Sequence, residues 1–256
     1  MRWPKVLGGL TILAVVVWRV GAGPFADAAR AVNPVALVAA VAITAVTTLC
    51  CAWRWQRVAS GFGDDVPLGT AVAAYYRSQF LNSTLPGGVL GDVHRAFRHG
   101  VSGVAAERTL GQVVQVVATG AILLVGPFPP GAIVAGVAVV AAAVRWPVVV
   151  LTSLVAASGH VAVFLVAAWA VGTDASVTEL VPLALVVMLA AAIPLNVAGW
   201  GPREGAAAWA FAGAGLGASQ GATVAVAYGV LALVATLPGA VVLTRGVLTR
   251  GVVARG

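Results

Sequence analysis

The sequence contains few charged residues. Only 9% of its 256 residues are Asp, Glu, Lys or Arg, whereas 61% are hydrophobic and the mean hydropathy is +1.00. An average soluble domain carries about a quarter charged residues. This chain has too few to cover a surface that faces water on all sides, so its composition excludes an ordinary soluble domain. Repeated apolar runs of membrane-spanning length predict an all-α, polytopic integral membrane protein, because a helix satisfies its own backbone hydrogen bonds in hydrocarbon.

Cysteine and metal-ligand motifs are also scarce. The two cysteines, Cys50 and Cys51, are adjacent within an apolar run, so they provide neither a disulfide framework nor spaced metal ligands. No H-E-x-x-H zinc motif occurs, and we expect neither a metal nor a cofactor. The net charge of +7 is not accompanied by a soluble basic domain, which favours anionic lipid headgroups over nucleic acid as partners.

The apolar residues fall into seven or eight hydrophobic segments, two of which look broken or re-entrant. The first resembles a signal peptide but is interpreted as an uncleaved span. No long linker separates the segments, so residues 1–256 are predicted to form a single transmembrane domain. The apolar segments lie near residues 6–20, 35–53, 104–125, 132–144, 147–171, 180–195, 206–216 and 223–243, and a more polar helix is predicted at 70–85.

Basic residues between the segments predict which loops face the cytoplasm. The loops without a basic residue, "GPFPPG" and "GTDASVTE", are predicted to face outward. The basic residues assigned to the cytoplasmic side are Arg54, Arg57, Arg95, Arg98, Arg145 and the arginines of the C-terminal tail.

The first interrupted segment contains "NSTLPGGVLGDVHRAFRHG", residues 82–100. Before it, Tyr75, Gln79 and Asn82 are spaced four and three apart and therefore share one helix face. Such a polar face must look into protein or water rather than lipid. A proline and glycines then break the helix, and a break at membrane depth is tolerated only where it lines a cavity or is buried in protein. The residues assigned to this break are Pro86, Gly87, Gly88 and Gly91.

The helix that follows carries a matching polar stripe. Its members are spaced four, three and four residues apart, as one face of a helix requires. Two interpretations remain open, a cavity wall or hydrogen bonding between helices. The stripe consists of Arg108, Gln112, Gln115 and Thr119.

The second interrupted segment is "IPLNVAGWGPREGAAAWAF", residues 193–211. As in the first, an asparagine precedes glycines and a proline, and an acidic residue follows. Interrupted segments in both halves indicate a transporter built from related repeats. The residues concerned are Asn196, Gly199, Gly201, Pro202, Arg203 and Glu204.

Both interruptions suit an anionic headgroup. A helix that begins after a break presents unpaired N–H groups and the positive end of its dipole, and arginine donates to phosphate in a bidentate manner. Arg95 and Arg203 each lie near a break, although Asp92 and Glu204 could simply neutralise them.

The stretch "YYRSQFLNSTLPGGVLGDVHRAF", followed by "GWGPREGAAAWAF", resembles the flippase-like membrane domain of the lysylphosphatidylglycerol synthase family. The resemblance implies a multi-pass membrane protein that moves or handles a lipid. Lysine transfer to phosphatidylglycerol is not expected, since no length remains for the aminoacyl-transferring domain. The expected partner is a membrane phospholipid or a polyprenyl-phosphate lipid, and a lipid-modifying enzyme and a second copy of the chain in a homodimer remain open as further partners.

The resulting hypothesis is a cleft that binds an anionic or aminoacylated lipid headgroup. Asp92 and Glu204 would orient arginines or recognise a cationic headgroup. Alternatives are a non-transporting partner of a lipid-modifying enzyme or glycosyltransferase and, less favoured, an intramembrane lipid phosphatase; His160 is interpreted as a functional residue or a neutral hydrogen-bond partner. The assigned headgroup residues are Asn82, Asp92, Arg95, Arg108, Gln112, Gln115, Asn196, Arg203 and Glu204.

Overall fold

The computed structural model describes Trp18 and residues 23–85, 88–193 and 200–244. These ranges contain helices and no β-strand, so the predicted all-α class is confirmed. A short helical stretch at 238–244 follows the last of the longer helices. The helices are α1 (Gly23–Ala31), α2 (Pro34–Ser60), α3 (Leu68–Thr84), α4 (Leu90–His99), α5 (Val101–Leu123), α6 (Pro129–Arg145), α7 (Pro147–Val171), α8 (Val177–Ala191), α9 (Pro202–Gly213) and α10 (Ala218–Ala235).

Three of the described helices, α2, α7 and α10, are long and apolar enough to cross a membrane. Two shorter apolar helices, α6 and α8, accompany them. The predicted segments at 35–53 and 147–171 correspond to α2 and α7, whereas the predicted segment at 223–243 ends as a regular helix at Ala235. The predicted first span at 6–20 lies outside the described residues except for Trp18.

The main core lies where α7, α9 and α10 meet. Phe164 of α7 packs against Phe211 of α9 and Tyr228 of α10, with ring centroids 6.3 and 6.0 Å apart. Most other buried side chains here are alanine or valine. Small residues let helix backbones approach closely, which is how helices associate in lipid without a hydrophobic driving force.

The first interruption separates α3 from α4. Asn82 bridges the gap, because its Oδ1 accepts a hydrogen bond of 2.7 Å from the Gly91 backbone N–H. A side chain on Gly91 would place Cβ only 2.0 Å from the carbonyl oxygen of Ser78, so α4 begins directly against the backbone of α3. The assigned break residues Pro86 and Gly87 lie outside the described residues.

The second interruption ends at Gly201, immediately before α9. Its φ of 121° is in a region that L side chains rarely adopt. The Gly201 N–H donates to Glu204 Oε2 at 2.7 Å, so a side chain of the first turn satisfies a backbone donor at the start of the helix. Asn196 and Gly199 belong to the part of this segment that is not described.

Candidate functional site: a charged cavity within the helical bundle

A cavity of about 300 Å³ lies between α2, α3, α4, α5, α7, α8, α9 and α10. We call it the polar cavity. Its volume is at the lower end of the range typical of small-molecule sites, so it suits a headgroup rather than a whole lipid. Its principal polar lining residues are Arg54, Tyr75, Ser78, Gln79, Asn82, Asp92, Arg108, Gln112, Gln115, Ser153, His160, Arg203 and Tyr228.

Asp92, in the first turn of α4, organises one side of the polar cavity. Its Oδ1 accepts from Ser78 Oγ at 3.0 Å and Arg95 Nη2 at 3.1 Å. Its Oδ2 accepts from Asn82 Nδ2 at 2.9 Å and lies 3.4 Å from Arg108 Nη1. Two arginines and two neutral donors thus surround this carboxyl, and all four favour its charged form. Asp92 is therefore an ionised, fully bonded carboxylate.

Glu107 of α5 connects four helices from behind the cavity wall. Its Oε1 accepts from Tyr75 Oη at 2.7 Å and from Arg54 Nε at 2.9 Å, and its Oε2 accepts from Arg95 Nη2 at 3.0 Å. Arg54 also donates to Ser153 Oγ of α7 at 2.8 Å. Because Glu107 is fully buried, this network is shielded from water, and each charge in it depends on its partners.

Arg95 lies between two aromatic rings and has no solvent exposure. Its guanidinium carbon is 4.7 Å from the Trp55 ring centroid and 4.1 Å from that of Tyr75. Cation–π contact of this kind is strongest where water is excluded. Arg95 therefore ties α2, α3 and α4 together and does not line the polar cavity.

A second cluster, at the start of α9, has the same kinds of groups. Arg203 Nε donates to Glu204 Oε1 at 2.9 Å. The Arg203 guanidinium carbon lies 5.3 Å from the Trp200 ring centroid and 5.2 Å from that of Tyr228. Each interruption is thus accompanied by an arginine held by a tryptophan, a tyrosine and a glutamate, but Arg203 lines the polar cavity whereas Arg95 does not.

His160 lies in α7, which packs against both α5 and α10. Its Nδ1 lies 3.2 Å from Tyr228 Oη, which links α7 to α10. This contact is the hydrogen bond between helices that one interpretation of the sequence proposed. The residue also faces the polar cavity, so its ring borders the space available to a ligand.

The structure brings most of the assigned headgroup residues to one cavity. The polar faces of α3 and α5 meet there, although Thr119 of the second stripe is buried away from the cavity. Arg95 and Glu204 lie behind the wall rather than on it, and Asn196 is outside the described residues. The assigned residues that line the cavity are Asn82, Asp92, Arg108, Gln112, Gln115 and Arg203.

Sequence reasoning misplaced Arg54 and overlooked its partner Glu107. Arg54 was assigned to a basic loop on the cytoplasmic side, but it is an interior residue of α2 with only 6% exposure. One feature of the sequence could have predicted this ion pair. Glu107 is an acidic residue in a largely apolar helix, and such a residue requires a buried counter-charge. In the described part of the chain, no three His, Cys, Asp or Glu side chains cluster as a metal site would require.

Comparison with known proteins gives one match. A family profile described as the lysylphosphatidylglycerol synthase TM region matches residues 6–144, more than half of the chain. The match contains the first interruption but ends before the second, so it covers less of the chain than the resemblance in the sequence suggested. Comparisons with curated proteins and with solved structures find no match. The chain therefore belongs to the family of the lysylphosphatidylglycerol synthase transmembrane region.

Proposed function

We propose that the chain is a multi-pass protein of the cell membrane that translocates a lipid, with the headgroup passing through the polar cavity. Membership of the family supports a lipid-related function in a membrane. In this mechanism the acyl chains stay in the bilayer while the polar cavity replaces the water around the headgroup. No covalent step is required.

The observation that carries the proposal is that Arg108 is partly exposed and only loosely paired with a carboxylate. Its side chain is 40% exposed and its contact with Asp92 is 3.4 Å, longer than the bonds that hold the buried arginines. A guanidinium that faces a cavity and is only loosely paired can donate to phosphate. Arg203 is the second candidate for phosphate contact, because it also lines the polar cavity.

Gln112 and Gln115 extend the path of the headgroup along α5. Both lie on the face that carries Arg108, about one and two helical turns further along. In the proposal, a headgroup that leaves Arg108 finds amide donors and acceptors at each step instead of hydrocarbon. Asp92 orients Arg108, while Asn82 holds the start of α4 in place.

The direct test is reconstitution of the purified chain in liposomes that contain fluorescent anionic, aminoacylated or polyprenyl-phosphate lipids. Translocation is read from the fraction of fluorophore that a membrane-impermeant quencher reaches. An increase over protein-free liposomes for at least one lipid is expected. Unchanged translocation for every lipid would contradict the proposal and favour the alternative, a non-transporting partner of a lipid-modifying enzyme.

Replacing Arg108 with glutamine is expected to slow translocation and weaken lipid retention about 10- to 100-fold. The estimate corresponds to losing one hydrogen bond to a charged group, about 1.5–3 kcal/mol. The matched control is Arg145→Gln, at the end of α6, which is exposed and outside the polar cavity. Equal effects of the two substitutions in the liposome assay would show that Arg108 has no special role.

A further inference from the structure

The acidic residues around the polar cavity all have hydrogen-bond or ion-pair partners within the protein. The chain has eight acidic residues, and every one lies in a described range. Three of them, Asp92, Glu107 and Glu204, belong to the cavity wall or to the layer behind it, and the remaining acidic residues do not line the cavity. The affinity of this site for a cationic group therefore depends on whether these three carboxylates can accept another donor.

None of the three carboxylates has room for another cation. Asp92 has two partners on each oxygen. Glu107 is fully buried between Arg54, Arg95 and a tyrosine hydroxyl. Glu204 is fully buried as well, held by Arg203 and by a backbone N–H. An ammonium group could reach Glu107 or Glu204 only by displacing a buried arginine, which would leave a buried charge unpaired, and it could reach Asp92 only in competition with Arg108.

The positive charges exceed the negative ones by one. Four arginines belong to the two clusters, of which Arg54, Arg108 and Arg203 line the cavity and Arg95 lies behind it. They face three carboxylates, which leaves one uncompensated positive charge on the side of Arg108. A single negative charge balances it. A phosphodiester carries one negative charge, whereas a phosphomonoester carries about 1.5 to 2 at neutral pH.

The rest of the wall is polar but neutral. The amides of Gln112 and Gln115 make no hydrogen bond to any other described residue, and both face the cavity. Elsewhere on the wall, the His160 ring and the Tyr228 hydroxyl pair with each other. Neutral amides both donate and accept, so they match hydroxyl groups, which also do both.

We infer that the polar cavity selects a phosphodiester lipid whose headgroup carries hydroxyl groups and no ammonium. The phosphate binds Arg108, and the hydroxylated group lies toward Gln112 and Gln115. A lipid with an aminoacyl ester or another ammonium is rejected, because its cation would lie beside Arg108 and Arg203, and Asp92, the carboxylate on the cavity wall, is already shared by two arginines and two neutral donors. This inference rests on the proposed function, since it assumes that the polar cavity receives a lipid headgroup.

The test is competitive lipid binding by the purified full chain, measured by native mass spectrometry in detergent. The probes share the same acyl chains and are phosphatidylglycerol, its lysyl ester, phosphatidylethanolamine, phosphatidic acid and diacylglycerol, the last as the reference without phosphate. Phosphatidylglycerol is expected to be retained at least about tenfold more than each of the others, because like charges brought together disfavour the wrong partner strongly.

Two outcomes would overturn different claims. Equal or stronger retention of the lysyl ester, phosphatidylethanolamine or phosphatidic acid, together with loss of retention in Arg108→Gln, would contradict the selectivity while the headgroup site stands. Retention of no phospholipid above diacylglycerol would contradict the proposed function itself.

A Gln112→Glu substitution is expected to change the selectivity. The new carboxylate lies one helical turn from Arg108 and compensates the positive charge of that arginine, so retention of phosphatidylglycerol should fall by about tenfold and its advantage over the lysyl ester should be lost. Gln220→Glu, in the first turn of α10 and outside the cavity, is the matched control and should leave the ratio unchanged. A ratio of the two lipids that stays at the wild-type value in Gln112→Glu would refute the assignment.

Discussion

Replacing Glu107 with glutamine is expected to lower the free energy of unfolding by about 3–5 kcal/mol, the usual result of removing one partner from a buried ion pair. The substitution keeps the shape of the side chain but removes the negative charge that Arg54 and Arg95 share. The glutamine oxygen can accept from only one of the two arginines, and the glutamine NH2 group then faces the donors of the other, so one buried guanidinium loses its acceptor on residue 107. Thermal unfolding in detergent, followed by circular dichroism, measures the change.

A double variant distinguishes the effect of the unpaired buried charge on stability from the effect of altered packing. In Glu107→Gln with Arg54→Gln, the unpaired buried cation is gone, so the double variant is expected to be more stable than Glu107→Gln alone. The control Asp174→Asn removes an exposed carboxylate outside the bundle core and should change the melting temperature little. If Glu107→Gln unfolds at the wild-type temperature, the buried network does not hold the helices together.

The second large effect is expected for Gly91→Ala. The added Cβ would lie 2.0 Å from the Ser78 carbonyl oxygen and 2.7 Å from its Cα, both backbone atoms of α3 that cannot rotate away. The start of α4 must then move away, which breaks the bond from Gly91 N to Asn82 and displaces Asp92. We expect a loss of about 1–3 kcal/mol of stability, together with loss of lipid retention, because Arg108 loses its orienting carboxylate.

Gly136→Ala is the matched control for that substitution. Gly136 lies within α6, and a Cβ there meets no atom within 4 Å. Alanine favours a helix over glycine by about 1 kcal/mol, so this variant should be as stable as the wild type or slightly more stable. Normal lipid retention by Gly91→Ala would show that the close contact between α3 and α4 does not position the cavity.

The fold class followed from the sequence because membrane helices have a strong signal. The apolar run at 147–171 coincides with α7, since hydrocarbon requires an uninterrupted helix of that length. The end of the helix in the 223–243 segment was harder to predict, because the sequence stays apolar beyond Ala235, where α10 ends. Hydropathy measures preference for lipid and does not detect a turn within an apolar stretch, such as the one at Thr236 and Leu237.

The sequence predicted those residues of the candidate site that are spaced along one face of a single helix. Gln112 and Gln115 followed from helical periodicity, and both line the polar cavity. Arg95 and Arg54 were beyond this approach, because their roles depend on contacts between helices distant in sequence. Trp55 and Tyr75 enclose Arg95 only once α2 and α3 are side by side, and no local pattern reports that.

The bond between Arg54 and Glu107 also constrains the synthesis of the chain. These residues are 53 positions apart, so at about 5–20 residues per second the ribosome needs several seconds to make the second after the first. During that interval α2 carries a cation whose counter-ion does not yet exist. Because an unpaired arginine is costly in hydrocarbon, α2 is expected to reach its final position in the bilayer only once α5 has been made.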